Sequence, residues 1–360
     1  MMGVYMVKFG IGCFVFGFKT PVETSLAEYK DKLKEALERI SNISAVDITI
    51  SSDYPIVWDE RVEPINDSGI GMNLSDINIT FSLHIPFRVQ KELFDRPLNC
   101  GVEDFVVEIE YGFHGPFTTI VPVGCGADSK PSDAVICVRE FLRKNFSDDL
   151  LRFENLGPSP FHANFVLSPG NDDAQENLVA DVRKKKGYDE IRFLYPPSGN
   201  SEDAFSEVLY ELSSELSLFY NQEAHRSYSY QQWDELQKRI DSYLSIPPKG
   251  FVMESIRNLK DRHTIDALIV DLAKFKFETI QYSSYIQMTM GNIYDGGAYK
   301  GYLKLYNEGI RPIMEYHPDD VVATLKFISE RRNKSYEILI GLLSGLCGGI
   351  IGSLLMILSS

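Results

Sequence analysis

Glu38 and Asn42 stand four residues apart, a spacing that places a carboxylate and an amide on one face of a helix. Further on comes Asp67-Ser68-Gly69-Ile70-Gly71-Met72, an acid followed by two glycines that let another group approach the backbone closely. Asp-Ser-Gly is equally an ordinary turn sequence. The other residues of reactive type stand apart. His84, His114, His162, His225, His263 and His317 are isolated from one another and read as packed or surface side chains. His114 and His162 lie beside turns at strand edges, where two imidazoles from different strands can meet. The pairs Asp148-Asp149, Asp172-Asp173 and Asp319-Asp320 mostly open helical patterns, where a carboxylate caps free N–H groups. Lys184-Lys185-Lys186 reads as a solvated helix end. Asp295-Gly296-Gly297 reads as a helix break. The chain has no P-loop lysine, no GxSxG elbow, no HExxH and no CxxC. Cys13, Cys100, Cys125, Cys137 and Cys347 are scattered without metal-type spacing and read as reduced thiols. No metal site is expected, and the residues name no cofactor.

Glu38, Asn42, Asp67, Gly69 and Gly71 together resemble the nucleotide site of the GHKL ATPase superfamily, which includes gyrase, heat-shock chaperone, histidine kinase and mismatch-repair ATPases. The resemblance implies ATP as ligand, Glu38 as the base that activates water, Asn42 as the magnesium ligand and Asp67 as the reader of adenine. Gly69 and Gly71 would allow the close approach. It extends over residues 38–72 alone. Where the family carries a lid and a glycine-rich phosphate loop, Ile77 to Ile85 alternates as a strand.

The elements that must carry these residues follow from periodicity. Val4 to Phe18 alternates with aromatic and β-branched residues, as strands do. Thr20, Pro21 and Glu23 then read as a helix start, and Leu26, Tyr29, Leu33, Leu37 and Ile40 recur at helical spacing. Val46–Ser51, Ile77–Ile85, Phe105–Tyr111, Phe117–Val123, Phe161–Leu167 and Ile191–Tyr195 read as strands, Asp53–Asn73 as a loop, and Ala134–Phe146 as a helix. From Ser201 the texture changes to amphipathic helices, two before Pro247 and a third from about Thr264 to Met290. Pro318, Asp319 and Asp320 start a last helix that nothing breaks. Strands followed by a run of helices predict an α+β fold. The expected parts are a strand-rich α+β domain at 1–200, a helical region at 201–317, a juxtamembrane stalk at 318–337 and a single transmembrane anchor at 338–358.

The anchor is Ile338 to Leu358, 21 residues without a charge. As a helix it covers roughly 30 Å, the thickness of a bilayer's hydrocarbon core. Gly341, Gly345 and Gly349 follow at intervals of four, with Gly348 and Gly352 beside them, and leucines and isoleucines fill the other half of the surface. Small faces let helix backbones approach closely in lipid. A lipid-facing side and a self-associating glycine side are therefore expected, and the lipid bilayer and a second copy of the chain are the expected partners. Arg331, Arg332 and Lys334 precede the run and nothing basic follows, which places the N-terminal body in the cytoplasm. A net charge of −15 argues against general nucleic-acid binding, which rests on phosphate neutralisation. The function expected on these grounds is that of a tail-anchored, non-enzymatic protein. Its body would sense or bind an unidentified cytosolic ligand or protein, a layout that suits a membrane-acting effector of stress or antiviral defence. The rivals are a membrane-tethered enzyme built on the ATPase-like residues and an ion-conducting oligomer. The latter lacks any charged or amide side chain in the span to line a pore.

Overall fold

The computed structural model describes residues 6–20, 22–51, 55–58, 77–94, 101–112, 115–126, 129–156, 163–170, 178–245, 251–296, 300–310 and 315–359. The fold is mixed α+β, a strand-rich N-terminal part followed by a helical one. In chain order the elements are β1 (Val7–Gly12), β2 (Phe14–Phe18), β3 (Val22–Ser25), α1 (Leu26–Glu38), β4 (Ile43–Ile50), β5 (Pro55–Trp58), β6 (Ile77–His84), α2 (Phe87–Leu93), β7 (Asp104–Gly112) and β8 (Gly115–Pro122). Then come α3 (Pro131–Asn145), β9 (Leu151–Asn155), β10 (Ala163–Pro169), β11 (Val179–Arg183), β12 (Asp189–Tyr195), α4 (Ser201–Leu244), α5 (Phe251–Tyr294), α6 (Lys304–Gly309) and α7 (Pro318–Ser359). Eight strands form one sheet in the order β11-β12-β10-β1-β8-β7-β6-β4. Only β10 and β12 run parallel; the other neighbours are antiparallel.

The chain divides into two compact units, residues 1–227 with 288–311 and residues 228–287 with 312–360. In the first, the sheet is covered on both faces. Successive residues of a strand point to opposite sides, and β1 shows which helix lies where. A Cβ at Gly10 would stand 2.5 Å from the carbonyl oxygen of Pro131 and from Val135, so only glycine admits α3 this close. Phe9, one residue earlier, meets Phe205 of α4 edge-on at 5.2 Å and stacks on Phe165 at 5.3 Å. On the α3 face, Tyr29 of α1 donates to the carbonyl of Phe16 at 2.6 Å, and the N–H of Phe16 donates to the Tyr111 hydroxyl at 3.0 Å. The burial of alternate residues of β6, Ile77, Ile79, Phe81 and Leu83, is the period-2 pattern of its sequence made physical. In the second unit Trp233, Leu236, Ile240 and Tyr243 of α4, Ile265, Leu268, Leu272 and Phe275 of α5, and Leu325 of α7 form a core of their own.

Several expectations meet corrections. The helix expected from Thr20 does not begin there: Val22–Ser25 is a strand paired with Pro55–Trp58, inside the stretch expected to be loop. α1 begins at Leu26, where the Ser25 hydroxyl accepts the N–H of Glu28 at 3.1 Å. Between Ser201 and Leu244 the two expected helices are one, since no glycine or proline interrupts them. Lys184–Lys186 is not a helix end but the turn from β11 to β12, with Lys184 and Lys185 paired to Asp189 and Glu190. Asp148 caps no helix; its Oδ1 accepts the N–H groups of Leu150 and Leu151, both at 2.9 Å, at the start of β9. Asp319 and Asp320 do sit in the first turn of α7.

α7 runs unbroken through the apolar stretch at 338–358. Within that stretch side-chain placement is described for Ile338 and residues 340–348, and Ile338, Ile340, Leu342, Leu343 and Leu346 are all exposed. Among the described residues no helix is long and apolar enough to cross a membrane.

Candidate functional site

Glu38 is the last residue of α1, exposed, with the Lys34 ammonium 4.0 Å from its Oε1. The helix ends there, so Asn42 does not share its face as expected; it lies in the following turn, because Arg39 already closes the last helical bonds to Glu35 and Leu37. The Asn42 amide donates to the carbonyl of His84 at 2.8 Å, and the N–H of His84 returns a bond of 2.9 Å to the Asn42 carbonyl. The amide thus pins the turn to the end of β6. Asp67, Gly69 and Gly71 lie outside the described residues, as do His114, His162, Asp172 and Asp173.

The structure brings together residues that the sequence keeps apart. His84 and Asp104 are register partners at the ends of β6 and β7, with Nδ1 of the imidazole 2.7 Å from Oδ1 of the carboxylate. Such a contact fixes the orientation of the ring and turns Nε2 outward. Both side chains are more than half exposed, so no wall excludes water from them.

A second group is fully enclosed. Glu215 of α4 has no exposed surface, and its Oε2 accepts the N–H of Leu303 at 2.8 Å. The Tyr302 N–H and the Tyr294 hydroxyl also bond this carboxylate. Oε1 has no partner among the described residues. Asn307 of α6, 1% exposed, donates to the Glu215 carbonyl at 3.1 Å and to Tyr294 at 2.7 Å, and accepts from Gln222 at 3.2 Å. Burial pushes the Glu215 carboxyl up to about 7, against the pull of the N–H groups. A carboxylate so placed can take up or release a proton near neutrality. The donors around it come from the end of α5, from the approach to α6 and from α6 itself, which makes it a clasp of the fold.

The chain matches no family model, no curated protein and no solved structure. Its chemistry is therefore read from these groups alone. Among the described residues no three or more His, Cys, Asp or Glu side chains are placed to hold a metal ion together. Neither the His84–Asp104 pair nor the Glu215 clasp carries a visible sequence signal. Twenty residues separate the first pair and 88 separate Glu215 from Leu303, so only strand register and helix docking reveal them.

Proposed function

We propose that the chain is a single-pass membrane protein anchored through Ile338–Leu358. Its body lies on the cytoplasmic side, binds or senses a partner, and self-associates at the membrane through the glycine face. The observation that carries the reading is a run of 21 uncharged residues in one helix, whose described leucine and isoleucine side chains are exposed rather than packed on the rest of the chain. An exposed apolar surface of that kind marks a contact with lipid or protein. The glycine face supports association: a Cβ placed on Gly341, Gly345 or Gly348 meets nothing within 4 Å, so a second backbone can approach. Arg331, Arg332 and Lys334 support the orientation.

The test is membrane partition. The full chain should pellet with membranes and resist a high-salt wash, whereas a chain cut after Ser335 should stay in the supernatant, folded by circular dichroism. Recovery of the truncated chain in the washed pellet would remove the anchor from the reading. Protease added outside sealed cells should leave the body intact, and cleavage would reverse its side.

A further inference from the structure

We propose that Asn78, Glu108, Glu110 and Thr119 form a binding site for a hard divalent cation of calcium or magnesium type. These residues come from three adjacent strands and share one face of the sheet. Asn78 of β6 is directly opposite Glu110 of β7, and Thr119 of β8 is directly opposite Glu108 of β7. Thr119 is in turn opposite Ile11 of β1, which lies on the Phe9 side of that strand and hence on the face that bears α4. Opposed side chains begin about 5 Å apart, and Glu108 and Glu110 are separated by one residue along their strand, roughly 7 Å. The Asn78 amide already reaches the Glu108 carboxylate, its Nδ2 donating to Oε1 at 3.0 Å.

Two features point to a ligand rather than to a solvated acidic patch. Thr119 is 1% exposed, yet its hydroxyl has no hydrogen-bond partner among the described residues, and neither does the buried Oδ1 of Asn78. A buried polar oxygen left without a partner costs free energy. Next, none of the ion pairs among the described residues involves Glu108 or Glu110, although both are half-buried. Two carboxylates, an amide oxygen and a hydroxyl are all hard oxygen donors, the set calcium and magnesium take, with water completing the shell. The set has no nitrogen or sulfur donor of the kind zinc or copper selects.

The experiment uses the full chain, stripped with chelator and returned to calcium chloride or, separately, magnesium chloride, with sodium chloride at equal ionic strength as control. Calorimetry and thermal unfolding are recorded at pH 8. Saturable binding of one ion should raise the unfolding temperature at pH 8. Glu108→Gln and Glu110→Gln should abolish binding, Thr119→Val should weaken it severalfold, and Asp104→Asn at the far end of β7 should leave it unchanged. No saturable binding by about 10 mM of either cation, well above the weakest protein sites, overturns the proposal. So does binding that survives both glutamine variants. Should those variants fail to fold, Thr119→Val, which keeps both charges, decides: an affinity equal to wild type overturns the site.

Discussion

Glu215 ties α4 to the segment that leads into α6, and its carboxyl is held near 7 by burial. An unfolded glutamate ionises near 4.5. The folded chain therefore keeps a proton that the unfolded chain has lost. That contribution is fully present below about pH 4.5 and is lost as pH rises through about 7. A shift of this size corresponds to at most about 3 kcal/mol. Glu215→Gln keeps the shape and an oxygen for the N–H groups while removing the titration. Denaturant melts at pH 5 and pH 8 should show wild type losing stability relative to the variant as pH rises. Parallel pH curves for the two chains would show that Glu215 does not titrate in this range. His225 works in the other direction. Burial pushes its imidazole down to about 4, so its contribution is present above about pH 6.5 and is lost as pH falls. The comparison of Glu215→Gln with wild type cancels the His225 contribution.

At the scale of elements, the second unit depends on three rings. Trp233 of α4, Phe275 of α5 and Tyr316 just before α7 meet pairwise, with centroids 5.4, 5.5 and 5.2 Å apart. Phe275 is 3% exposed. Phe275→Ala would leave a cavity between all three elements and should cost about 3–5 kcal/mol. The cost should appear as early unfolding of residues 228–287 and 312–330 in hydrogen exchange, with protection of β6 to β8 unchanged. Uniform loss of protection across the sheet would mean that the two units unfold as one. The outer face of α5 carries Val270, Phe277, Ile280 and Met288, all exposed, so this helix is apolar on more than its buried side.

At the scale of the whole molecule, association belongs to the proposed anchor. Gly341, Gly345 and Gly349 advance about 40° per step around the helix, with Gly352 between the first two and Gly348 just beside Gly341. Gly345→Ile adds bulk where two backbones would touch and keeps the run uncharged. It should weaken association in lipid by about a kcal/mol or more, because close packing is its main source. Leu343→Ile, on the opposite side, should change nothing. Crosslinking of the full chain in vesicles compares them; equal yields from both variants and wild type would make the glycines incidental.

The α+β class, the alternating strand β6 and the helical face of α1 were legible in the sequence, because local periodicity records which side of an element is buried. Length and charge likewise marked the apolar run from Ile338 to Leu358 before any coordinate. Periodicity failed where long-range pairing overrode local propensity. Thr20-Pro21 has the composition of a helix start, but Val22–Ser25 is extended because Pro55–Trp58 pairs with it. Lys184–Lys186 resembled a helix end because β11 is too short to alternate visibly. Asn42 kept the spacing of a helical partner to Glu38, yet the helix ended first. Sites were still less legible. The opposition of Thr119 to Glu108 and Asn78 to Glu110 depends on strand register, and the reach of Glu215 to Leu303 depends on helix docking. A chain read in order shows which residues can do chemistry, but only its folding decides which of them stand a few ångströms apart and out of water.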